Sequence, residues 1–370
     1  MSTTIEEQIK DIEEEISRTK YNKATQQHIG RLKAKMARLR DEMEKRRSSG
    51  GPGKGYGVRK SGNATVALVG FPSVGKSTLL NQLTDANSDV RAYHFTTLDV
   101  IPGIMEYDDA KIQILDLPGL VAGASRGKGK GKEVLSVVRS ADLILLIVDM
   151  FETHVEVLVR ELEDSGLRLN QRPPDVVIER KERGGVTIRS TVELSRIDEE
   201  TARTMVSEYG YVNADVVIRE DINEDQLIDV LTGNRIYVDA ILIVNKVDLA
   251  KDGKVRSVLD SLREWDPLPV SAEKGENLDA LRDEIFKHLD LIRVYMKPQG
   301  QEADLEEPLI VRRDSTIGEV CDQIHRGFRL NFRYARVWGA SSKFPGQTVG
   351  LNHRVKESDI ISIIIRRNGV

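Results

Sequence analysis

The stretch ATVALVGFPSVGKSTLLNQLT, residues 64–84, decides the fold. ATVALVG is a continuous apolar run of the kind buried on both faces of a parallel sheet, and TLLNQLT has helical spacing. Between them GFPSVGKS (70–77) reads Gly-x-x-x-x-Gly-Lys-Ser. In a strand–loop–helix setting that spacing is specific. Successive loop N–H groups cradle phosphate oxygens, and the helix N-terminus adds its positive end. Gly70, Pro72, Ser73, Val74, Gly75, Lys76, Ser77 and Thr78 are therefore assigned to a nucleotide. Lys76 is placed on the β- and γ-phosphates and Ser77 on Mg²⁺.

Working outward, KIQILD, DLILLIVD and DAILIVNK repeat the buried β-rich pattern, each followed by a loop and usually a helix. This predicts an α/β fold: a doubly wound, mostly parallel sheet with ligands beyond the carboxyl ends of its strands. Three further motifs fall at such ends. DLPG (116–119) puts Asp116 on a metal-bound water and the Gly119 N–H on the γ-phosphate. In RAYHFTTLDV (91–100), Phe95, Thr96 and Thr97 are assigned to the nucleotide, with Thr97 completing the metal shell only when the γ-phosphate holds the loop. His94 is read as a polar surface residue. NKVD (245–248) supplies Asp248 for guanine N1–H and the exocyclic amine, two donors that adenine does not offer in that arrangement. Asn245 and Lys246 would brace the base and the phosphate loop. SAEKGEN (271–277) adds Ser271, Ala272 and Glu273, the Ala272 N–H meeting guanine O6. Lys76, Thr97 and Gly119 are the catalytic candidates. Leu120 stands where Ras-like enzymes use a Gln to orient water, and it can neither donate nor accept a hydrogen bond.

The flanks add modules. Ile5, Ile9, Ile12 and Ile16, then Ile29, Leu32, Met36, Leu39 and Met43, form two apolar helical stripes, read as an antiparallel hairpin over 1–47 with Thr3 and Glu6 as a capping box. Residues 1–17 carry six acids and one Lys, and residues 18–40 eight Lys/Arg and no acid. Pairing of the two arms, or contact with an anionic partner, would account for that asymmetry. Residues 48–62 are a Gly-rich basic linker and 63–293 the nucleotide domain. Within it, about seventy residues between Gly166 and Asp239 exceed an ordinary connection. They predict a small α+β insertion at about 170–236, with DVVIERKERGGVTIRS as a hairpin turning at Gly184–Gly185. Residues 294–370 form a compact α+β domain in which Arg329, Arg333, Tyr334, Arg336 and Trp338 interleave cations and aromatics. At least two of Phe332, Tyr334 and Trp338 are expected in its core.

The 370 residues are 39% hydrophobic and 31% charged, with net charge −4 and Cys321 the only cysteine. A disulfide framework and an all-cysteine metal site are excluded. There is no apolar run of membrane-spanning length and the opening residues are acidic, so a cytoplasmic protein without membrane contact is expected.

GFPSVGKS, FTTL, DLPGLVAGAS with its RGKGKGK run, NKVD and SAEKGEN together resemble the developmentally regulated GTP-binding (DRG) family of Obg-related GTPases. The resemblance covers nearly the whole chain, and the C-terminal segment is similar to a TGS domain of the β-grasp type. It implies GTP and GDP as ligands, Mg²⁺, slow hydrolysis, and action on ribosomes or RNA. A dedicated protein partner on the TGS domain and a monomeric free state also follow from it. In this class hydrolysis proceeds with a hydrophobic residue at the Leu120 position. Potassium is left open: the residue that assists it elsewhere is an Asn, and Ser73 stands here. Arg126, Lys128, Lys130 and Lys132 are read as a solvated or RNA-facing loop, with a phosphate contact as the other reading. A GTP-binding scaffold with negligible hydrolysis is the competing function, with Leu120 as its argument.

Overall fold

The computed structural model describes residues 4–23, 25–48, 61–84, 93–94, 99–117 and 131–366. The chain divides into two compact units, one of residues 1–55 with 166–237 and one of residues 56–165 with 238–370.

The larger unit contains the expected sheet. From edge to edge its strands are Leu268–Pro269, Ile236–Asn245, Leu143–Asp149, Ala64–Gly70, Ala110–Asp116, Asp99–Tyr107 and Tyr93–His94. The four runs read as buried strands are neighbours and mutually parallel. Asp99–Tyr107 returns antiparallel to Ala110–Asp116, turning through Asp108 and Asp109 at φ 48° and 65°. Val66, Leu68, Ile112, Ile114, Leu145 and Ile147 are fully buried and share one core with Leu79 of the Lys76–Leu83 helix and Leu281 and Ile285 of the Leu278–Leu289 helix. Each such side chain contributes about 1.5–3 kcal/mol by leaving water. Parallel pairing brings the ends of four strands together, so Gly70, Asp116, Asp149 and Asn245 lie at one end of the sheet.

A second sheet in the same unit runs Leu309–Arg312, Leu291–Met296, Asp359–Ile365, Phe332–Trp338 and Gln347–Val349. It begins at Leu291, three residues before the boundary drawn from sequence. The Ile317–Ile324 helix packs on it through Val320 and Cys321. Ile310 belongs to the nucleotide domain's core, and Arg312 pairs with Asp142 just before the Leu143–Asp149 strand. Arg293 bridges Glu357 and Asp108, both at 3.0 Å.

The smaller unit joins two segments that the sequence reading kept apart. The helices Ile5–Arg18 and Gln26–Ser48 close on one another through Ile9, Ile12, Leu32 and Leu39. The cap of the first is Thr4, not Thr3. Its hydroxyl accepts from Glu7 N–H while its own N–H donates to Glu7 Oε2 at 2.8 Å. The second helix also packs against the insertion. Ala34 lies in a core with Ala202, Met205, Val216 and Leu227, and a Cβ on Gly30 would come within 3.0 Å of Met205 Sδ. The insertion has helices Glu199–Glu208 and Glu224–Thr232 and a three-stranded sheet. Its first two strands, Val176–Arg180 and Val186–Ser190, do not pair as a hairpin. Ala214–Ile218 lies between them, antiparallel to one and parallel to the other. Val216 and Ile218 have no exposed surface, so this strand takes the centre. The Gly184–Gly185 turn opens to admit it: Gly185 N–H donates to Asn213 Oδ1 at 2.7 Å, and Ala214 N–H to Gly185 O at 3.1 Å.

Candidate nucleotide-binding site

The loop 70–75 is built on two glycines. A Cβ on Gly70 would run into Ile147 O, and Gly75 combines a φ of 95° with a Cβ position blocked by Asn245 Nδ2. Only glycine satisfies both demands at position 75. Ser73 is also left-handed, at φ 64°. The loop runs into the Lys76–Leu83 helix, and Gly75 provides no side-chain cap. The first N–H groups of the helix are thus available to an anion. Lys76 is buried and its Nζ donates to Phe71 O at 2.9 Å and Gly70 O at 3.2 Å, crossing the mouth of the loop.

Ser77 Oγ donates to Asp116 Oδ2, so the two candidate metal-shell residues converge. Burial pushes the Asp116 carboxyl up, opposed by the Ser77 bond and the Lys76 charge. Burial likewise pulls the Lys76 ammonium down, opposed by Asp116. Hard oxygen donors with room for water are what Mg²⁺ takes. A buried carboxyl whose charge is only partly balanced fits such an ion.

NKVD grips the loop from the other side. Asn245 Nδ2 donates to Val74 O at 2.8 Å, and Lys246 Nζ to Ser73 O at 2.8 Å and Asp149 Oδ2 at 2.7 Å. Lys246 takes a φ of 62° to do so. Asp149 was not singled out from sequence, although an acid closing the apolar run DLILLIVD was its signal. Burial alone would raise its carboxyl, but bonds from Lys246 and from the Phe151 and Glu152 N–H groups hold it below the usual range. Asp248 is aimed by Ser271, whose hydroxyl donates to Oδ1 at 2.6 Å. Ala272 N–H, assigned to guanine O6 from sequence, donates to Asn245 Oδ1 at 3.0 Å. Asn245 thus ties the phosphate loop to the 271–273 turn, and that N–H is engaged within the protein. Phe95, Thr96, Thr97, Gly119 and Leu120 lie outside the described residues, as do Arg126, Lys128 and Lys130 and most of the 48–62 linker. His94 is described only as part of the edge strand Tyr93–His94, and Lys132 only as part of the Gly131–Val138 helix.

A family described as 50S ribosome-binding GTPase matches residues 65–180, the C-terminal region of the MMR_HSR1 domain matches 183–291, and the TGS domain matches 292–365. A GTP-binding protein of Methanocaldococcus jannaschii is 56% identical over 366 residues, covering 98% of this chain and 93% of its own. Developmentally-regulated G-protein 3 of Arabidopsis thaliana is 43% identical over 368 residues, covering 98% and 99%. The chain belongs to the developmentally regulated GTP-binding protein family. A Dictyostelium discoideum homologue of developmentally regulated GTP-binding protein 1 agrees, at 43% identity over 97% of this chain and 98% of its own. In this family member the TGS domain lies in the larger unit, and the matched GTPase regions are divided between the two units. No helix among the described residues is long and apolar enough to cross a membrane.

Proposed function

We propose that the chain is a Mg²⁺-dependent GTPase with slow intrinsic turnover, whose nucleotide state gates a contact with the ribosome or RNA in the cytoplasm. The observation that supports it most is the lock between loop and base motif. Asn245 and Lys246 bond Val74 O and Ser73 O, while Asp248 is held by Ser271. Phosphate and base recognition are thereby built as one rigid object, so little ordering is left to be paid on binding. Lys76 exchanges its two carbonyl partners for phosphate oxygens, a stronger charge-assisted contact. Ser77 and Asp116, through water, would hold Mg²⁺, which when bound neutralises phosphate charge. Thr97 and the Gly119 N–H would join only around a γ-phosphate, giving the switch. Lys76 and these two groups are the catalytic set. Ribosome or RNA action is supported by the description of the family matching residues 65–180 and by the TGS domain. A protein partner on the TGS domain, a monomeric free state and a role for K⁺ belong to the same reading.

Two measurements test it. Asp248→Asn should move preference from GTP towards XTP, because an amide donates where the carboxylate accepted; unchanged discrimination rejects the base assignment. Single-turnover hydrolysis with and without ribosomes, in sodium and then potassium buffer, separates a slow GTPase from a scaffold. Leu120→Gln should change the rate by less than about threefold, since water positioning needs geometry as well as a polar atom. Acceleration of tenfold or more would make Leu120 the brake.

A further inference from the structure

The C-terminal sheet has two faces, and pairing fixes which residues share each. Val294, Val311, Ala335, Val337, Val349 and Ile361 face the Ile317–Ile324 helix and form its core. Side chains alternate along strands, so the residues between them point the other way. Tyr295, Ile360 and Trp338 form one row across three strands, with Tyr295 opposite Ile360 and Ile360 opposite Trp338. Arg336 opposite Ser362 and Tyr334 opposite Ile364 form the next two. Phe332 packs on the core, but Tyr334 and Trp338 do not, against the expectation that two of the three would. Both are half-buried rings on the outer face. At the far edge that face is closed by the nucleotide domain, where Ile310 is buried. Beyond it both rings keep part of their surface exposed, with Gly346 packed against the Trp338 indole.

Cations stand near both rings. Arg333 and Arg336 lie 5.8 and 6.0 Å from the Tyr334 ring centre, and Lys297 Nζ lies 5.7 Å from that of Trp338. Among the described residues, none of these three cations is within ion-pair distance of a carboxylate. The acids of residues 309–366 are otherwise engaged. Asp314 faces Arg354, Glu319 caps with Thr316, Asp322 holds Arg329, and Glu357 holds Arg293. Asp359 is buried against the Ser341 and Lys356 N–H groups. The acidic stretch 302–307 is tied at Met296 by Asp304 N–H, which leaves the Arg333–Arg336 end as the approach for a polyanion.

We infer that this outer face is a stacking platform for unpaired bases of single-stranded RNA. Tyr334 and Trp338 receive base faces, and Arg333, Arg336 and Lys297 take the neighbouring phosphates. Four residues of strand separate the two rings by about 13 Å, so they are two stations along one strand and not a sandwich around one base. Stacking rewards single strands because a duplex keeps its base faces covered, and it tolerates any sequence. This proposal rests on the reading that the chain acts on RNA.

The test uses the full chain with a fluorescent 12-nucleotide RNA of mixed sequence and a duplex of the same length, with GTP affinity measured on the same samples. Single strands should bind at least about tenfold more tightly than duplex. Tyr334→Ala and Trp338→Ala should each weaken the single strand by about tenfold without changing the salt dependence, whereas Tyr334→Phe and Trp338→Phe should retain most of the affinity. Arg336→Gln should lower the slope of log affinity against log salt by about 0.7. GTP affinity and melting temperature should stay as in the wild type throughout. RNA binding that is indifferent to both rings overturns the platform while leaving the RNA reading intact. A wild-type chain that binds GTP but no RNA overturns both. A defined protein partner lost on ring removal, with RNA affinity unchanged, assigns the face to protein docking and overturns the proposal.

Discussion

In the Gln26–Ser48 helix, Arg31 and Arg38 reach Glu208, Lys33 reaches Asp225, and Arg40 reaches back to Glu13. In the C-terminal sheet, Arg333 and Arg336 lie against Tyr334 and have no carboxylate within reach among the described residues. Both stretches are basic in sequence. The first spends its cations on the acidic insertion and first arm; the second keeps them. Net charge along a chain therefore does not locate an anion site. What locates one is a cation whose partners are missing or weak. Lys76 belongs with the second group, since among the described residues its hydrogen-bond partners are two backbone carbonyls.

The sharpest separation comes from Lys76→Ala. GTP affinity should fall about a thousandfold, roughly 4 kcal/mol, while the nucleotide-free protein melts close to the wild type. Titration calorimetry showing wild-type affinity would put Lys76 among the structural cations. Asp229→Asn is the converse experiment. This buried acid takes both Arg168 at 2.6 Å and Arg235 at 2.9 Å within the smaller unit. Its loss should cost about 3 kcal/mol in denaturant unfolding, because two partly buried cations lose their counter-charge. GTP affinity should not move, and a loss would break the division between cations of the fold and cations of the ligand.

The pH profile of nucleotide affinity tests the same division more finely. Burial lowers the Lys76 pKa in the free protein, so as pH rises the ammonium loses its proton earlier than an ordinary lysine. Binding must then take up a proton, and affinity should begin to fall below the usual lysine range. At the acid end the raised Asp116 carboxyl becomes protonated earlier than an ordinary aspartate, and Mg²⁺-dependent affinity should fall there. A plateau as wide as that expected for ordinary Lys and Asp would contradict both directions. The smallest effect belongs to Lys33→Ala, which removes a surface pair with Asp225. It should cost under about 1 kcal/mol of stability and leave RNA affinity unchanged. A clear loss of RNA binding would show that the helix is not internally neutralised.

What the sequence made legible was local or parallel. Gly70, Gly75, Lys76 and Ser77 lie within eight residues, and the four apolar runs pair in parallel as neighbours, as runs buried on both faces do. What it concealed depends on partners far along the chain. Val176–Arg180 and Val186–Ser190 carry every local mark of a hairpin, and the more apolar Ala214–Ile218 strand separates them. Gly30 looks like a helix defect until Met205 and Thr201 are placed against it. The bond from Ala272 N–H to Asn245 Oδ1 spans 27 residues, and no local pattern announces it. Tyr334 and Trp338 alternate with core residues, and an alternating strand does not announce which of its faces is covered.

The smaller unit is assembled from residues 1–55 and 166–237, and its hydrogen bonds between the Gln26–Ser48 helix and the insertion span 168 to 198 residues. During synthesis the two N-terminal helices emerge first and can close on each other through Ile9, Ile12, Leu32 and Leu39. Their other side, around Gly30 and Ala34, must wait for residues not yet translated. At the usual 5–20 residues per second, that wait is about ten to forty seconds. A nascent chain of this protein therefore carries an apolar, cation-rich half-interface past the making of the entire phosphate loop. The acids that will neutralise it, Glu208 and Asp225, are among the last parts of that unit to arrive.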